Sequence, residues 1–295
     1  MKNLKIPYFI LSLVGLWISN LSAEYYEDIF ALILILSIGL IHGANDLQII
    51  SVLNKKGVLR MSASQSLAVY IFSVFAILLI FYQFQNWALF FFLLISGFHF
   101  GEQHFSLLFD RKGIIRLLVF VIYGLEVFLL LFFFNAAESL AVISDIVGYI
   151  ISYQTLELSL LINTGLMGLS FLYFGLYTKE LRINILFELL VLAFLSLIFY
   201  TATLLWSFAI YFVIWHSVPS IIHQLHTMYN DLSKGSLFKY VKNGSLYWAM
   251  ALSAFLLLVF VFNIDVVNYK SYLVYFLAGV TFPHVLVMAT LFKDS

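Results

Sequence analysis

A chain that runs apolar for the length of a bilayer crossing ten times over has few folds open to it. The stretches are 6–22, 27–53, 66–84, 86–109, 114–135, 157–178, 183–201, 204–229, 244–263 and 271–292. Hydrocarbon offers no water to a free backbone amide, so a crossing of about 20 residues has to satisfy its own hydrogen bonds as a helix. The expected fold is therefore an all-α, polytopic membrane bundle. The composition agrees, with 63% apolar residues, 10% charged residues and a mean hydropathy of +1.04. Basic and acidic residues balance at 15 each, so nothing in the charge points to nucleic acid. The chain has no cysteine, which excludes disulfides, thiolate-held metals, iron–sulfur clusters and cysteine nucleophiles.

Lysine and arginine collect in cytoplasmic loops, and this tests the number of spans. With ten spans, one side receives Lys2, Lys5, Lys55, Lys56, Arg60, Arg111, Lys112 and Arg116. The same side receives Lys179, Arg182, Lys234, Lys239, Lys242 and Lys293, and only Lys270 falls on the other. Both termini are thus predicted to be cytoplasmic, in a multi-pass protein of the inner (cytoplasmic) membrane. The segment 138–154 would invert every later loop if it crossed, so it is expected to be an external surface or re-entrant helix. A basic start, a short apolar run and Leu21-Ser22-Ala23 make the first span signal-like; 6–22 is read as an uncleaved helix of a single membrane domain, 1–295.

Ionisable groups at membrane depth are costly and mark function unless they are hydrogen-bonded within the bundle. All seven histidines fall in even-numbered spans, which share one direction, so residue counts from their starts compare as depths. His42 lies about 15 residues in, His99 about 13, His216 about 12 and His284 about 13, within about one helical turn of each other at ~1.5 Å per residue. A shared depth suits a metal site, because neutral imidazole binds Fe, Zn or Cu and a cation offsets the burial of polar groups. The other reading is a proton relay, which would spread its histidines along the membrane normal.

Each histidine has a local setting. In His42-Gly43-Ala44-Asn45-Asp46, the carboxylate one turn beyond His42 either orients a ligand imidazole through its second nitrogen or bonds at the inner boundary. In Phe98-His99-Phe100-Gly101-Glu102-Gln103-His104, both Glu102 and His104 approach the cytoplasmic side and are read as solvated. In Trp215-His216-Ser217-Val218-Pro219-Ser220-Ile221-Ile222-His223-Gln224, the histidines are ~10 Å apart on a straight helix, and a distortion at Pro219 would draw them together. His226 is read as surface-facing. Glu126 and Glu188 are expected to pair with a histidine or to accept bundle hydrogen bonds. The aromatic share of 19% fits a channel for a flat apolar ligand and fits packing against lipid as well.

Together with Phe187-Glu188-Leu189-Leu190, Tyr211-Phe212 and Pro283-His284, these motifs resemble the Brp/Blh family of bacterial and archaeal β-carotene 15,15′-dioxygenases over about 40–290. The resemblance implies a membrane-embedded, non-haem Fe(II) enzyme that splits β-carotene with O2 into two all-trans-retinal, the chromophore of microbial rhodopsins. Its partners would be the carotenoid, O2, the lipid bilayer and, functionally, a rhodopsin. His42, His99 and His216 match family metal positions. The family's next histidine falls where this chain has Ser220, an acidic residue falls at His104, and prolines fall near Thr201 to Leu204. The resemblance favours His223 as the fourth ligand, and depth counting favours His284, which otherwise joins Asp46 and Glu102 beside the metal. A proton- or metal-translocating transporter and a non-catalytic rhodopsin-associated factor are the alternatives.

Overall fold

Helices form where the apolar stretches predict them. The computed structural model describes residues 5–105, 114–177, 179–261 and 269–294, and among these there is no strand. Lys2, Arg111, Lys112 and the end of the stretch 86–109 lie outside the described residues. The helices are α1 Lys5–Leu21, α2 Glu24–Leu34, α3 Asp46–Lys55, α4 Ala63–Gln83, α5 Gln85–Phe105, α6 Ile114–Phe134 and α7 Ala136–Val147. They continue as α8 Tyr153–Tyr177, α9 Lys179–Thr201, α10 Leu204–Ile210, α11 Val218–Tyr229, α12 Lys234–Val261 and α13 Tyr269–Asp294. Among the described residues, six stretches are long and apolar enough to cross a membrane: Ala63–Gln83, Arg116–Phe134, Tyr153–Tyr173, Leu204–Tyr229, Lys234–Val261 and Tyr269–Phe292. Ile6–Leu21 and Ile185–Thr201 are apolar but shorter. Helix α5 occupies the fourth expected stretch but is not among the six, because Glu102, Gln103 and His104 lower its hydropathy. Helix α7 has 12 residues, too few to span, and ends on Gly148, whose φ of +79° closes a left-handed cap that glycine adopts at no steric cost.

Two expected crossings are not single α-helices. The stretch 27–53 runs through α2 into a π segment, Ile35–Gly39, then breaks into turns at 42–45 before α3 begins. The stretch 204–229 runs through α10 into a π segment, Tyr211–Ser217, and resumes as α11 with Pro219 in its first turn. π turns widen a helix by a residue and cluster at functional sites. Here they precede His42 and contain His216.

The chain packs as two units. The first comprises α1, α2, the part of α5 after Phe92, α6, α7 to Ser144, α8, α9, α10 and the second π segment to His216. In it, α1 is tied in by indoles: Trp206 Nε1 donates to Gly15 O (3.1 Å) and Trp215 Nε1 to Ser12 Oγ (2.9 Å). Carboxylates cap the start of α10. Glu27 accepts from Thr203 N (2.9 Å) and Glu138 from Leu204 N (3.0 Å), pairing donors that a helix N-terminus leaves free. Helices α5 and α6 touch backbone to backbone: a Cβ on Gly124 would sit 1.9 Å from Gly97 O, and one on Gly101 2.0 Å from Phe120 O. Only glycine permits this approach.

The second unit comprises the first π segment, α3, α4, α5 up to Phe92, the end of α7 and α11 to α13 from Ser217. Helix α13 lies along α4, and its Val287, Met288 and Leu291 meet Ile49, Ile50 and Leu53 of α3 in an apolar core. Trp248 Nε1 donates to Leu36 O (2.8 Å), supplying a side-chain partner to the first π segment. Before α12, the Asp231 carboxylate accepts from the hydroxyls of Ser233 (2.5 Å) and Ser236 (2.6 Å), and these bonds hold it below the usual carboxylate range. Helices α4 and α12 expose Phe72, Phe75, Leu256 and Phe260, an apolar surface suited to lipid.

Candidate metal-binding histidines

In the second unit His42 and His284 form a pair. Their rings meet edge to face with centroids 4.7 Å apart, and both side chains are buried. His42 sits on the broken helix and bonds through Nδ1 to Gly39 O. A carbonyl only accepts, so Nδ1 carries the proton and Nε2 keeps its lone pair. His284, on α13, donates from Nδ1 to Asp46 Oδ1 at 2.8 Å, which fixes the same tautomer. The other carboxylate oxygen, Oδ2, accepts from Tyr70 OH at 2.9 Å. Asp46 therefore orients an imidazole as its chemistry suggests, but the imidazole is that of His284. The break at 42–45 removes Asp46 from helical register with His42 and leaves it facing α13. Gly43 lies against the His284 ring, where an added Cβ would be 3.7 Å from Nδ1, an ordinary contact distance.

In the first unit His99, on α5, pairs with His216, in the π segment, with ring centroids 4.8 Å apart. Their setting is aromatic. Phe100 lies 4.5 Å from the His216 ring, and Phe212, one turn earlier, stacks on it at 5.6 Å. Phe208 stacks in turn on Phe212 at 5.1 Å, so phenyl rings wall the imidazole away from water. His99 is fully buried and His216 nearly so. Gln103, a turn beyond His99, donates from Nε2 to His216 O at 2.8 Å.

The remaining expected site residues lie elsewhere. His223 stacks on Phe292 with centroids 4.9 Å apart, at the α11–α13 contact of the second unit. His226 is exposed, as its place near the loop predicts. Glu102 and His104, read as solvated, are not. Glu102 is buried, and His104 bonds through Nε2 to Glu188 Oε2 at 2.5 Å, with Tyr123 stacked on its ring and 3.3 Å from the same carboxylate. For His104 the reason is that α5 turns its face toward α6 and α9 rather than toward a loop. Glu126 accepts from Asn163 Nδ2 and Thr164 Oγ1, both at 2.7 Å, and so serves helix packing. The sequence reading missed Tyr70, Tyr240, Gln103 and Gln224 around the histidines. The two glutamines carried a visible signal, since an uncharged amide inside an apolar span has to find partners.

Neutral imidazoles with one nitrogen engaged and the other presenting a lone pair are what a divalent transition metal takes from protein. His42, His216 and His284 are all buried and suited to that role, and His99 shares the environment of His216. The family model for beta-carotene 15,15′-dioxygenase matches residues 33–292, a stretch that contains every histidine of the chain. No curated protein and no solved structure matches it.

Proposed function

Because the chain belongs to the beta-carotene 15,15′-dioxygenase family, we propose that it cleaves the central double bond of β-carotene with O2 to give two all-trans-retinal, as a membrane-embedded non-haem iron enzyme. A dioxygenase of this family implies a metal cofactor. The observation that carries the reading is the pair of buried histidine couples, His42 with His284 and His99 with His216. Counting from the starts of their spans puts all four at one depth. On this reading His42, His99 and His216 are ligands of Fe(II), with His284 in the place that the family pattern alone would give to His223. The Asp46 bond that fixes the His284 tautomer supports that choice, as does the edge-to-face pairing of His284 with His42.

When bound, the iron supplies the redox chemistry by which O2 adds across a carbon–carbon double bond. The rest falls to the chain. One C=C bond breaks and each carbon receives one oxygen atom, so no proton is taken up or released, and no general acid or base is needed. Asp46 and Gly39 O hold the protons on Nδ1 of His284 and His42. Phe100, Phe208 and Phe212 exclude water and offer flat apolar surface to a polyene with no polar handle. The single membrane domain crosses the cytoplasmic membrane ten times with both termini inside, and the hydrocarbon substrate reaches it from the lipid. The retinal product serves as chromophore to a microbial rhodopsin.

Co-expression with a β-carotene pathway tests this. The orange pigment should fade, retinal should accumulate, and the purified chain should carry about one iron. Unchanged carotenoid, or a metal-free protein, would refute it.

A further inference from the structure

Two neutral amides sit where the histidine-bearing helices depart from regular geometry, one in each unit. In the second unit the amide of Asp46 bonds to Gly43 O (3.2 Å), where an uninterrupted helix would send it to the His42 carbonyl. That carbonyl accepts from Gln224 Nε2 at 3.0 Å and from Tyr240 OH at 3.2 Å. Gln224 is fully buried and its orientation is set: Tyr240 OH donates to Oε1 at 2.8 Å, and Nε2 also lies 3.1 Å from Ser220 Oγ. A carbonyl cannot donate, so the nitrogen end of the amide has to face His42 O. The first unit repeats the device. Gln103 Nε2 reaches the carbonyl of His216, the histidine within the π segment, at 2.8 Å from 113 residues away.

We propose that Gln224 and Gln103 are positioning residues of the metal site, each pinning the main chain of one histidine and so setting the direction in which its imidazole leaves the helix. The inference rests on the reading that these histidines hold the metal. The physical ground is the softness of a distorted helix. A carbonyl at a break or in a π turn inside an apolar bundle is stabilised by a donor from a neighbouring helix, and losing that donor favours a return to regular register. One residue of register turns a side chain by about 100°, which would carry the imidazole off the metal. A donor from a neighbouring helix removes that gain and holds the irregular turn in place.

Ordinary interhelical glue is the competing role, and binding separates the two. Gln103→Met and Gln224→Met in the full chain, in lipid nanodiscs, are titrated with Co(II), whose visible spectrum reports ligand geometry. Each should weaken Co(II) binding about 10- to 100-fold and alter the spectrum, and the losses should multiply in the double variant. Asn163→Leu removes a buried amide bonded to Glu126 and should lower the unfolding midpoint with Co(II) affinity unchanged. With histidine carbonyls labelled with carbon-13, Gln103→Met should move one resonance and Gln224→Met another. Where a methionine variant does not fold, Gln→Leu at the same position removes the donor with most of the side-chain volume kept. Variants that lose stability as Asn163→Leu does, yet bind Co(II) like the parent, overturn the inference and leave the metal assignment standing. A parent chain that takes up neither Co(II) nor iron overturns both.

Discussion

The His42–His284 couple and the His99–His216 couple have the same ring separation to within 0.1 Å, and they are built on different plans. The first is held by directional polar bonds: Gly39 O and Asp46 fix the two rings, and Tyr70 fixes Asp46. The second is held by shape, between Phe100 and Phe212, beside a helix contact so close that peptide groups touch. Polar bonds set a tautomer and tolerate small movements of the chain. Phenyl walls and glycine contacts set a position and tolerate almost none.

Seven substitutions test that contrast. The largest effect is expected at His284, where Ala should leave the purified chain without iron, while His223→Ala should retain it. Full iron in His284→Ala with loss in His223→Ala would remove the polar couple from the metal site. Next comes Gly101→Ala, whose Cβ would land 2.0 Å from Phe120 O, a main-chain atom that cannot swing aside. The cost should exceed about 3 kcal/mol and show as loss of folded protein in detergent. Gly244→Ala in the second unit meets only the amide end of Asn45, at 2.7 Å, and should cost about 1 kcal/mol. Equal thermal losses at the two glycines would break the comparison.

Asp46→Asn should weaken metal binding about 10- to 100-fold, because a neutral amide orients the His284 imidazole less firmly and lowers its basicity. Phe212→Leu, which trims the aromatic wall, should change affinity by less than about threefold, and a titration of both variants compares the plans directly. The smallest effect is expected for Tyr70→Phe. It removes one of the bonds to Asp46 and should cost about 1 kcal/mol of stability, with a few-fold loss in affinity.

Much of this was legible in the sequence, for physical reasons that also mark where legibility stops. Helix positions follow from apolar run length, and α1, α4, α6 and α13 begin and end within a few residues of the stretches that predict them. A count of residues from the membrane surface gives depth, which is why four histidines stand out together. Depth says nothing about azimuth. His104 and Glu188, 84 residues apart, lie on facing sides of their helices, and no local pattern shows it. Asp46 and His42, four apart, look like one face of one helix, and they cease to be so because the chain breaks between them. The second π segment carries no signature of its own: Tyr211–Ser217 contains neither glycine nor proline to mark the change from the helix before it.

The glycine contact between α5 and α6 bears on how such a protein can change over time. Substitutions on the lipid side of these helices alter little, and the two strips of backbone that touch have no room to vary. Length is constrained more tightly still. A single codon gained or lost between Gly97 and Gly101 would turn everything beyond it by about 100°. Such a change would set His99, which stands between the two glycines, out of phase with one or the other. Insertions and deletions in this stretch should therefore be purged from a population before most point mutations are, and a library of single-residue deletions along α5, scored for retained fold, would show a gap there.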